Sequence, residues 1–549
     1  MFRIQALKEH LKPGSEFRQR IRSNFLFALY TGSVLIVIET AYRVSKGSLR
    51  SLMLPREYID IFFILFVFSF FIYKRFVLIF IYGLLVFSLV QMVHYSYYGT
   101  WVLPAELFLF FPKHTEVFAT FRTIVGMLIL PALLVIPAFV LVTAAHRKTG
   151  ERIVSKYMSV FIILFLLLPV VRVAFFNKKL GTKPNEDKSI QKNTVYTAAY
   201  FTARTLPCLV FDIHTVRRWE HEEYPVLDTG STDASVVLII GESLTCSHMS
   251  LFGYERKTTG FLDSLKNRSS FIYKKALSAG VYTDSSLPHI LNIVARPDAT
   301  LHIMSRKTNL FRMAREQGFR TYFITAQSRD SYSYLRSYLS RNDIDVYKDS
   351  FDFGFDAFTY AHDHVLLQEL ETMDFGRKNF IVLNMAGSHS PYSGRIPDGF
   401  SPFPVKNIVD EYDTTVAYTD HIMSEIVRIL SRAGGNTYII FSSDHGQNVG
   451  LSGCGHGNIN EPSHYEVPFF IHSIQGDIEN DVRGFLGTGE WTCHYDIARI
   501  TAFYLGYRSL EQERSCKRKV YVNGPELNGN SGYMEILLGE TGIEKRRLH

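Results

Sequence analysis

At 549 residues the chain is too long for one compact domain, so at least two units are expected. A net charge of +7 without any nucleic-acid motif excludes nucleic acid as the expected partner, and five cysteines with no CxxC pair exclude a zinc ribbon and allow at most two internal disulfides. The 44 Phe and 31 Tyr are rich for a soluble enzyme and direct attention to membrane spans.

Five apolar runs answer that search, at 24–42, 58–73, 76–99, 123–145 and 153–176. Most approach or exceed the roughly 20 residues that cross a bilayer core, and the second is short. Five runs crowded into one third of the chain predict a helical membrane domain over 1–176, not buried helices of a soluble core. A cleavable signal peptide is not expected, because the first run is long and four more follow it. Orientation is read from Lys and Arg. Arg3, Lys8, Lys12, Arg18, Arg20 and Arg22 precede the first run. Lys74 and Arg75 follow the second, and Arg147, Lys148, Arg152 and Lys156 follow the fourth. These outweigh Arg43, Lys46, Arg50 and Arg56 in the loop 43–57. The N-terminus is therefore expected in the cytoplasm and everything after about residue 177 outside it. The stretch 102–111 has no room to span and is expected to lie at the outer interface.

A polar segment at 177–232 is expected to link or bridge, and 233–549 to form one large domain. Within it, short β-branched and aromatic runs at 235–241, 320–326, 379–385, 437–443 and 467–473 predict buried strands. Helical periodicity with a Gly-Gly stop predicts a helix over 411–435. Near-continuous apolar strands separated by helices predict a parallel-rich sheet covered on both faces. Three strands run into polar clusters: Glu242-Ser243, Gly387-Ser388-His389 and Asp444-His445. In open α/β sheets the site lies beyond the carboxyl ends of the strands, so these clusters are expected to converge. Glu242, Asp444 and His445 offer oxygen and imidazole ligands of the kind zinc takes. The stretch SAGVYTDSSLPH at 278–289 adds four hydroxyls, and from the residues alone Ser278, Thr283, Ser285 and Ser286 all remain open as nucleophiles.

LIIGESLTCSHMSLFGYERKTTG (238–260), GSHSPY (387–392), SSDHG (442–446) and the His-Gly pair at 456–457 resemble the phosphoethanolamine transferases. These are inner-membrane members of the alkaline phosphatase–sulfatase superfamily, several of which modify lipid A or lipooligosaccharide. The resemblance covers nearly the whole chain and implies an alkaline phosphatase/sulfatase-like α/β domain in the periplasm behind five spans in a bacterial inner membrane. It implies zinc, with one ion expected and a second possible, held by Glu242, Thr283, Asp444 and His445. The family's nucleophile is a Thr five residues before a Pro, which matches Thr283 and Pro288. His389 and His456 match histidines that bind the substrate phosphate or a second metal. The implied reaction takes phosphoethanolamine from phosphatidylethanolamine through a phospho-threonine to lipid A or another lipid-linked glycan. This sequence departs from the pattern at the two positions where the family often places a disulfide around the nucleophile, which here are Ala279 and His289. Gly260 replaces the usual Pro after the Thr pair, and GQNVGLSG follows Asp444-His445 in place of an acidic stretch. Two alternatives are a glycerol-phosphate transferase or sulfatase-like hydrolase of the same superfamily, and a non-catalytic membrane-anchored glycan-binding protein. A sulfatase needs Arg in its maturation segment, and Ser286-Leu287-Pro288-His289-Ile290 has none.

Overall fold

The computed structural model describes residues 15–46, 55–98, 101–102, 107, 125–175, 189–206, 219–221, 232–328, 339–356, 359, 361–450, 454–508, 510, 518–527, 529, 532–539 and 542–549. Contacts divide the chain into two compact units, Met1–Pro104 with Ile124–Pro207, and Ala105–Thr123 with Cys208–His549.

The first unit is helical. Its helices are α1 (Ser15–Ser45), α2 (Pro55–Phe68), α3 (Lys74–Tyr98), α4 (Val125–Lys148), α5 (Lys156–Phe175) and α6 (Ile190–Tyr200). The five expected spans are occupied by α1 to α5, but the count of five does not carry over. Among the described residues, three helices are long and apolar enough to cross a membrane: Glu16–Ser45, Lys74–Tyr97 and Val125–Lys148. The reason is plainest in α2, whose 14 residues extend about 21 Å against a hydrocarbon core of about 30 Å. Helix α5 has 20 residues and contains Pro169 and, in its last turn, Arg172. Helix α6 lies inside the segment expected to bridge, and its contacts place it in the first unit. Of the interfacial segment expected at 102–111, only Val102 and Leu107 are among the described residues.

The second unit is built on an eight-stranded sheet of order β4-β3-β5-β1-β6-β7-β2-β8. The strands are β1 (Ser235–Gly241), β2 (Phe271–Leu277), β3 (Arg320–Thr325), β4 (Val346–Lys348), β5 (Asn379–Asn384), β6 (Thr437–Ser443), β7 (Glu466–Ser473) and β8 (Trp491–Cys493). All five expected strands are present. The sheet is mixed, however, and not purely parallel: β7 runs antiparallel to both β6 and β2. Along β1, Val236, Leu238 and Ile240 face one core while Val237 and Ile239 face the other. Both faces are apolar because helices cover both. One layer contains α8 (Thr283–Ile290), α10 (Leu310–Glu316) and α14 (His494–Tyr504). The opposite layer contains α7 (Gly260–Leu265), α11 (His364–Glu371) and α12 (Ile408–Ala433). Two further helices, α9 (Thr300–Ser305) and α13 (Asn480–Leu486), complete the set used below. Helix α12 covers the span expected from its periodicity and stops at Gly434 and Gly435, both with positive φ (+75° and +82°). A second sheet, β11-β10-β9, closes the chain with β9 (Arg518–Asn523), β10 (Tyr533–Gly539) and β11 (Gly542–Leu548), all antiparallel. Its Val520, Val522, Met534, Ile536 and Leu538 pack on Leu277, Val281, Ile459 and Tyr465. The small sheet thereby supports the segment that leads from β2 into α8.

Candidate metal centre

Strands β1 and β6 pair in parallel with Gly241 opposite Ser443. The register continues one residue further through a bond from Asp444 N to Gly241 O of 2.9 Å. Glu242 and Asp444 therefore emerge side by side at the carboxyl edge of the sheet. Ser243 follows in the left-handed region (φ +57°). Its carbonyl accepts from Tyr412 Oη and from Gln447 Nε2, each at 3.0 Å, which holds that strained turn.

Glu242, Asp444 and His445 are buried, and one ligand atom from each lies within 4.8 Å of the others. His445 Nδ1 donates to Gly446 O at 2.9 Å, so Nε2 faces the centre, 3.3 Å from Glu242 Oε1 and 3.5 Å from Asp444 Oδ2. Asp444 Oδ1 accepts from the amides of His445 (2.7 Å) and Ser243 (3.2 Å), whereas the buried Oδ2 receives no hydrogen bond. Burial, and then repulsion from Glu242, push Asp444 up to about 7. Burial pulls His445 down, but Asp444 and Glu242 outweigh it and hold the imidazole at about 9. Burial acts against ionised Glu242, yet His445 holds that carboxyl well below the usual range. Two buried carboxylates, an inward imidazole nitrogen and an orphaned carboxylate oxygen fit a divalent ion that accepts mixed O/N ligands, as zinc does.

Thr283 is the first residue of α8, and its Oγ1 lies 3.2 Å from Glu242 Oε2 and 3.4 Å from His445 Nε2. The rival hydroxyls are committed elsewhere. Ser285 Oγ donates to Tyr282 O at 3.1 Å, Ser286 Oγ to Asp444 O at 2.5 Å, and Ser278 Oγ to Gly280 O at 2.7 Å. All three serines are fully buried, while Thr283 is half-buried. The helix N-terminus beneath Thr283 adds the positive end of the α8 dipole.

His389 and His456 stand at the mouth of the site with ring centroids 5.6 Å apart, and His456 is 4.3 Å from the His445 ring. A reciprocal backbone pair between Asn448 and Gly455 (2.8 and 3.0 Å) closes the loop that delivers His456. Burial, followed by the charges of His445 and His389, pushes His456 well below the ordinary imidazole value. All six residues singled out from the sequence thus lie around one centre.

Three further side chains, not singled out from the sequence, shape it. Gln327, just past β3, donates from Nε2 to Glu242 Oε2 (2.8 Å) and to Met385 O (2.9 Å). Asp363 accepts from the amides of Ala386 (2.6 Å) and Gly387 (3.1 Å), and burial raises it to about 6. Arg395 Nε donates to His389 O at 3.1 Å. Gln327 follows an expected strand, so the strand-end rule that found Glu242 points to it as well. Nothing in the local pattern around Asp363 or Arg395 marks them.

Behind α8, the two departures from the disulfide pattern are joined without a covalent bond. Asn523 N donates to Ala279 O (2.8 Å), and Asn523 Nδ2 lies 3.2 Å from His289 Nε2. Cys246, Cys454 and Cys493 are free thiols, and Cys208 and Cys516 lie outside the described residues.

Residues 234–482 match the sulfatase family model. Among curated proteins, YhbX of Escherichia coli (strain K12), named as a transferase, is 29% identical over 256 residues, covering 45% of this chain and 44% of its own. The Kdo(2)-lipid A phosphoethanolamine 7''-transferase of the same strain is 26% identical over 270 residues, covering 45% of this chain and 46% of its own. The matched stretch spans about half the length of these curated relatives. Among solved structures, the integral membrane lipooligosaccharide phosphoethanolamine transferase A of Neisseria meningitidis superposes with a TM-score of 0.57 at 16% identity, covering 88% of this chain and 95% of that one. The two share a fold: membrane helices followed by an alkaline phosphatase-like domain.

Gly387 gives the centre a test of its geometry. It sits at φ +53°, and a Cβ there would approach Glu242 O and N to 2.8 and 2.9 Å. Gly387→Ala should destabilise the second unit by at least about 1–2 kcal/mol and displace Glu242. Thermal unfolding and zinc titration of the purified protein check this. An unchanged transition with unchanged zinc affinity would contradict the tight packing described.

Proposed function

We propose that this chain, whose second unit carries a sulfatase-family domain and whose curated relatives include phosphoethanolamine transferases, transfers phosphoethanolamine from phosphatidylethanolamine to lipid A or another lipid-linked surface glycan. The observation that carries the reading is the position of Thr283. Its hydroxyl alone among the four in its segment points into the Glu242, Asp444 and His445 cluster. A zinc ion held by Glu242, Asp444, His445 and Thr283 would lower the pKa of that hydroxyl and neutralise phosphoryl charge.

Thr283 Oγ1 supplies the attacking electron pair, with Glu242 Oε2 within hydrogen-bond reach of its proton. A bond forms between Oγ1 and phosphorus, and the phosphorus–oxygen bond to the glycerol breaks, so that diacylglycerol leaves with a proton. An acceptor oxygen then attacks the same phosphorus, the bond to Oγ1 breaks, and the acceptor's proton passes to Oγ1 to restore the Thr283 hydroxyl. His389 and His456 donate hydrogen bonds to the phosphoryl oxygens as negative charge grows on them. A membrane-anchored enzyme suits both reactants, because donor and acceptor are each held in a bilayer.

We place the N-terminus in the cytoplasm and the domain in the periplasm of a bacterial inner membrane. Five crossings support this orientation, because they keep the basic clusters at 74–75 and 147–156 on the same side as the basic N-terminus. A phosphatase reporter fused after residue 200 is expected to be active; cytoplasmic activity of a reporter there would overturn the lipid-donor reading.

Metal content provides a second check. Asp444→Asn should lower bound zinc by at least about tenfold while circular dichroism stays unchanged, because the ligand lies beyond the ordered end of β6. Elemental analysis of protein purified without chelator measures it. Wild-type protein that holds no divalent metal and gains no activity with added zinc would refute the zinc assignment.

The nucleophile is tested by trapping. Incubation with labelled phosphatidylethanolamine should leave phosphoethanolamine on Thr283, identified by peptide mass spectrometry. Thr283→Ala should abolish the adduct and lower transfer by at least about a thousandfold, and Thr283→Ser should retain part of both. Ser285→Ala and Ser286→Ala should still form the adduct. Label on either serine, with Thr283→Ala active, would defeat the assignment.

A further inference from the structure

Away from the metal centre, the second unit has a cleft of about 300 Å³ bordered by Trp219, His221, Asp298, Leu301, His302 and Lys307. Its floor is ordered. His221 Nε2 donates to Asp298 O at 3.1 Å, His302 Nε2 meets Thr308 Oγ1 at 2.8 Å, and the two imidazole rings stand 5.1 Å apart. The Arg296 guanidinium lies 5.0 Å over the Trp219 ring. Lys307 borders the cleft and Arg296 stands over Trp219, while the acidic side chains beside them among the described residues are the buried Asp298 and the exposed Glu220.

The rim has the opposite character. Helix α9 turns Leu301 and Met304 to solvent, 58% and 57% exposed. Among the described residues of the second unit, the other large apolar side chains so exposed are Val405 and Leu548, which belong to other elements. Positions 301 and 304 are three apart and share one side of α9. An apolar pair beside an aromatic and a cluster of basic groups is the composition that partitions into a lipid–water interface.

We propose that this cleft seats the phosphate of an anionic phospholipid headgroup while Leu301 and Met304 enter the bilayer surface, giving the domain a membrane-docking site of its own. Lys307 and Arg296 supply the charge attraction, and Trp219 occupies the interfacial level beside His221 and His302. None of these residues belongs to the metal centre, so the docking does not depend on the reaction proposed above.

The test uses the full chain in nanodiscs. Cys208→Ser and Cys516→Ser remove the two thiols that lie outside the described residues, and Met304→Cys carries an environment-sensitive fluorophore. Discs contain either phosphatidylcholine alone or equal parts of phosphatidylcholine and phosphatidylglycerol, each with acyl-brominated phosphatidylcholine as quencher. Quenching should be at least about threefold greater in the phosphatidylglycerol discs, with a blue-shifted emission. Lys307→Glu should weaken the phosphatidylglycerol-dependent part by about fivefold, and Lys307→Arg should keep it. Leu301→Asp should remove quenching with circular dichroism unchanged. Equal quenching in the two kinds of disc would refute the headgroup site. No bromine quenching in either would show that protein covers this face, either another part of this chain or a second copy, and would refute the docking altogether.

Discussion

The bond from Asp444 N to Gly241 O is the contact on which the centre depends. It extends the parallel β1–β6 ladder one residue beyond the sheet, to the point where both strands turn into polar loops. A shift of one residue in that register would turn the side chains to opposite faces and separate Glu242 from Asp444. The register is secured by Val236, Val237, Leu238, Ile239 and Ile240, fully buried in alternation between two cores. The ligand set is thus a consequence of core packing well below it. The remaining demands of the turn fall on second-layer groups: Tyr412 and Gln447 for the strained carbonyl of Ser243, Gln327 for Glu242, and Asp363 for the loop that carries His389.

The nucleophile helix is held by a different device. A disulfide across residues 279 and 289 would tie β2's exit to the far end of α8. Here Asn523, the last residue of β9, performs that tie through its backbone and its amide. Val281 N donates to Asn523 O at 3.1 Å, closing a pair of backbone bonds. His289 completes the connection through Nδ1 to Ser285 O at 2.8 Å, and burial keeps its imidazole neutral, down at about 4. A second buried imidazole, His494, reaches Ala279 N, Ser286 Oγ and Ser443 O within 3.1 Å. Each such bond contributes about 1 kcal/mol net, against about 2–4 for a disulfide. Several together give comparable restraint without an oxidising step.

Much of this was legible because burial on both faces of a sheet leaves a simple trace. Runs such as SVVLIIG and TYIIFSS are apolar at successive positions, and the polar residue that ends each run sits at the sheet's active edge. Legibility failed where burial was one-sided or polar. Strand β2 carries Lys274 and Lys275, whose ammonium groups reach Gly487 O and the Glu490 carboxylate, so FIYKKAL does not read as core. Strand β11 exposes most of GIEKRRL and is placed only by its pairing with β10. Direction left no trace either: β7 is as apolar as β6, yet antiparallel to it, because both orientations bury the same side chains. Asp363 is unmarked because it acts on backbone amides more than twenty residues away. Among the described residues three helices meet the length and apolarity of a span, and α2 misses it because it is apolar but only 14 residues long.

The helical unit shows how charge is accommodated where water is scarce. Glu39, fully buried near the end of α1, would be costly alone in an apolar bundle. It pairs with Arg43 one turn later at 2.9 Å and accepts the Ile190 amide at 3.1 Å on both oxygens. Ile190 opens α6, so the carboxylate also meets the positive end of that helix dipole. Glu57 and Asp60 of α2 take the Lys192 ammonium from the same first turn. The Arg43 guanidinium in turn lies 5.2 Å over the Trp101 ring. Removing one member of such a set leaves a buried charge uncompensated, a cost of about 3–5 kcal/mol. The two acidic helices therefore fix the start of α6 by charge as well as by packing, and the short α2 is held in the bundle by ionic contacts that its length alone does not supply.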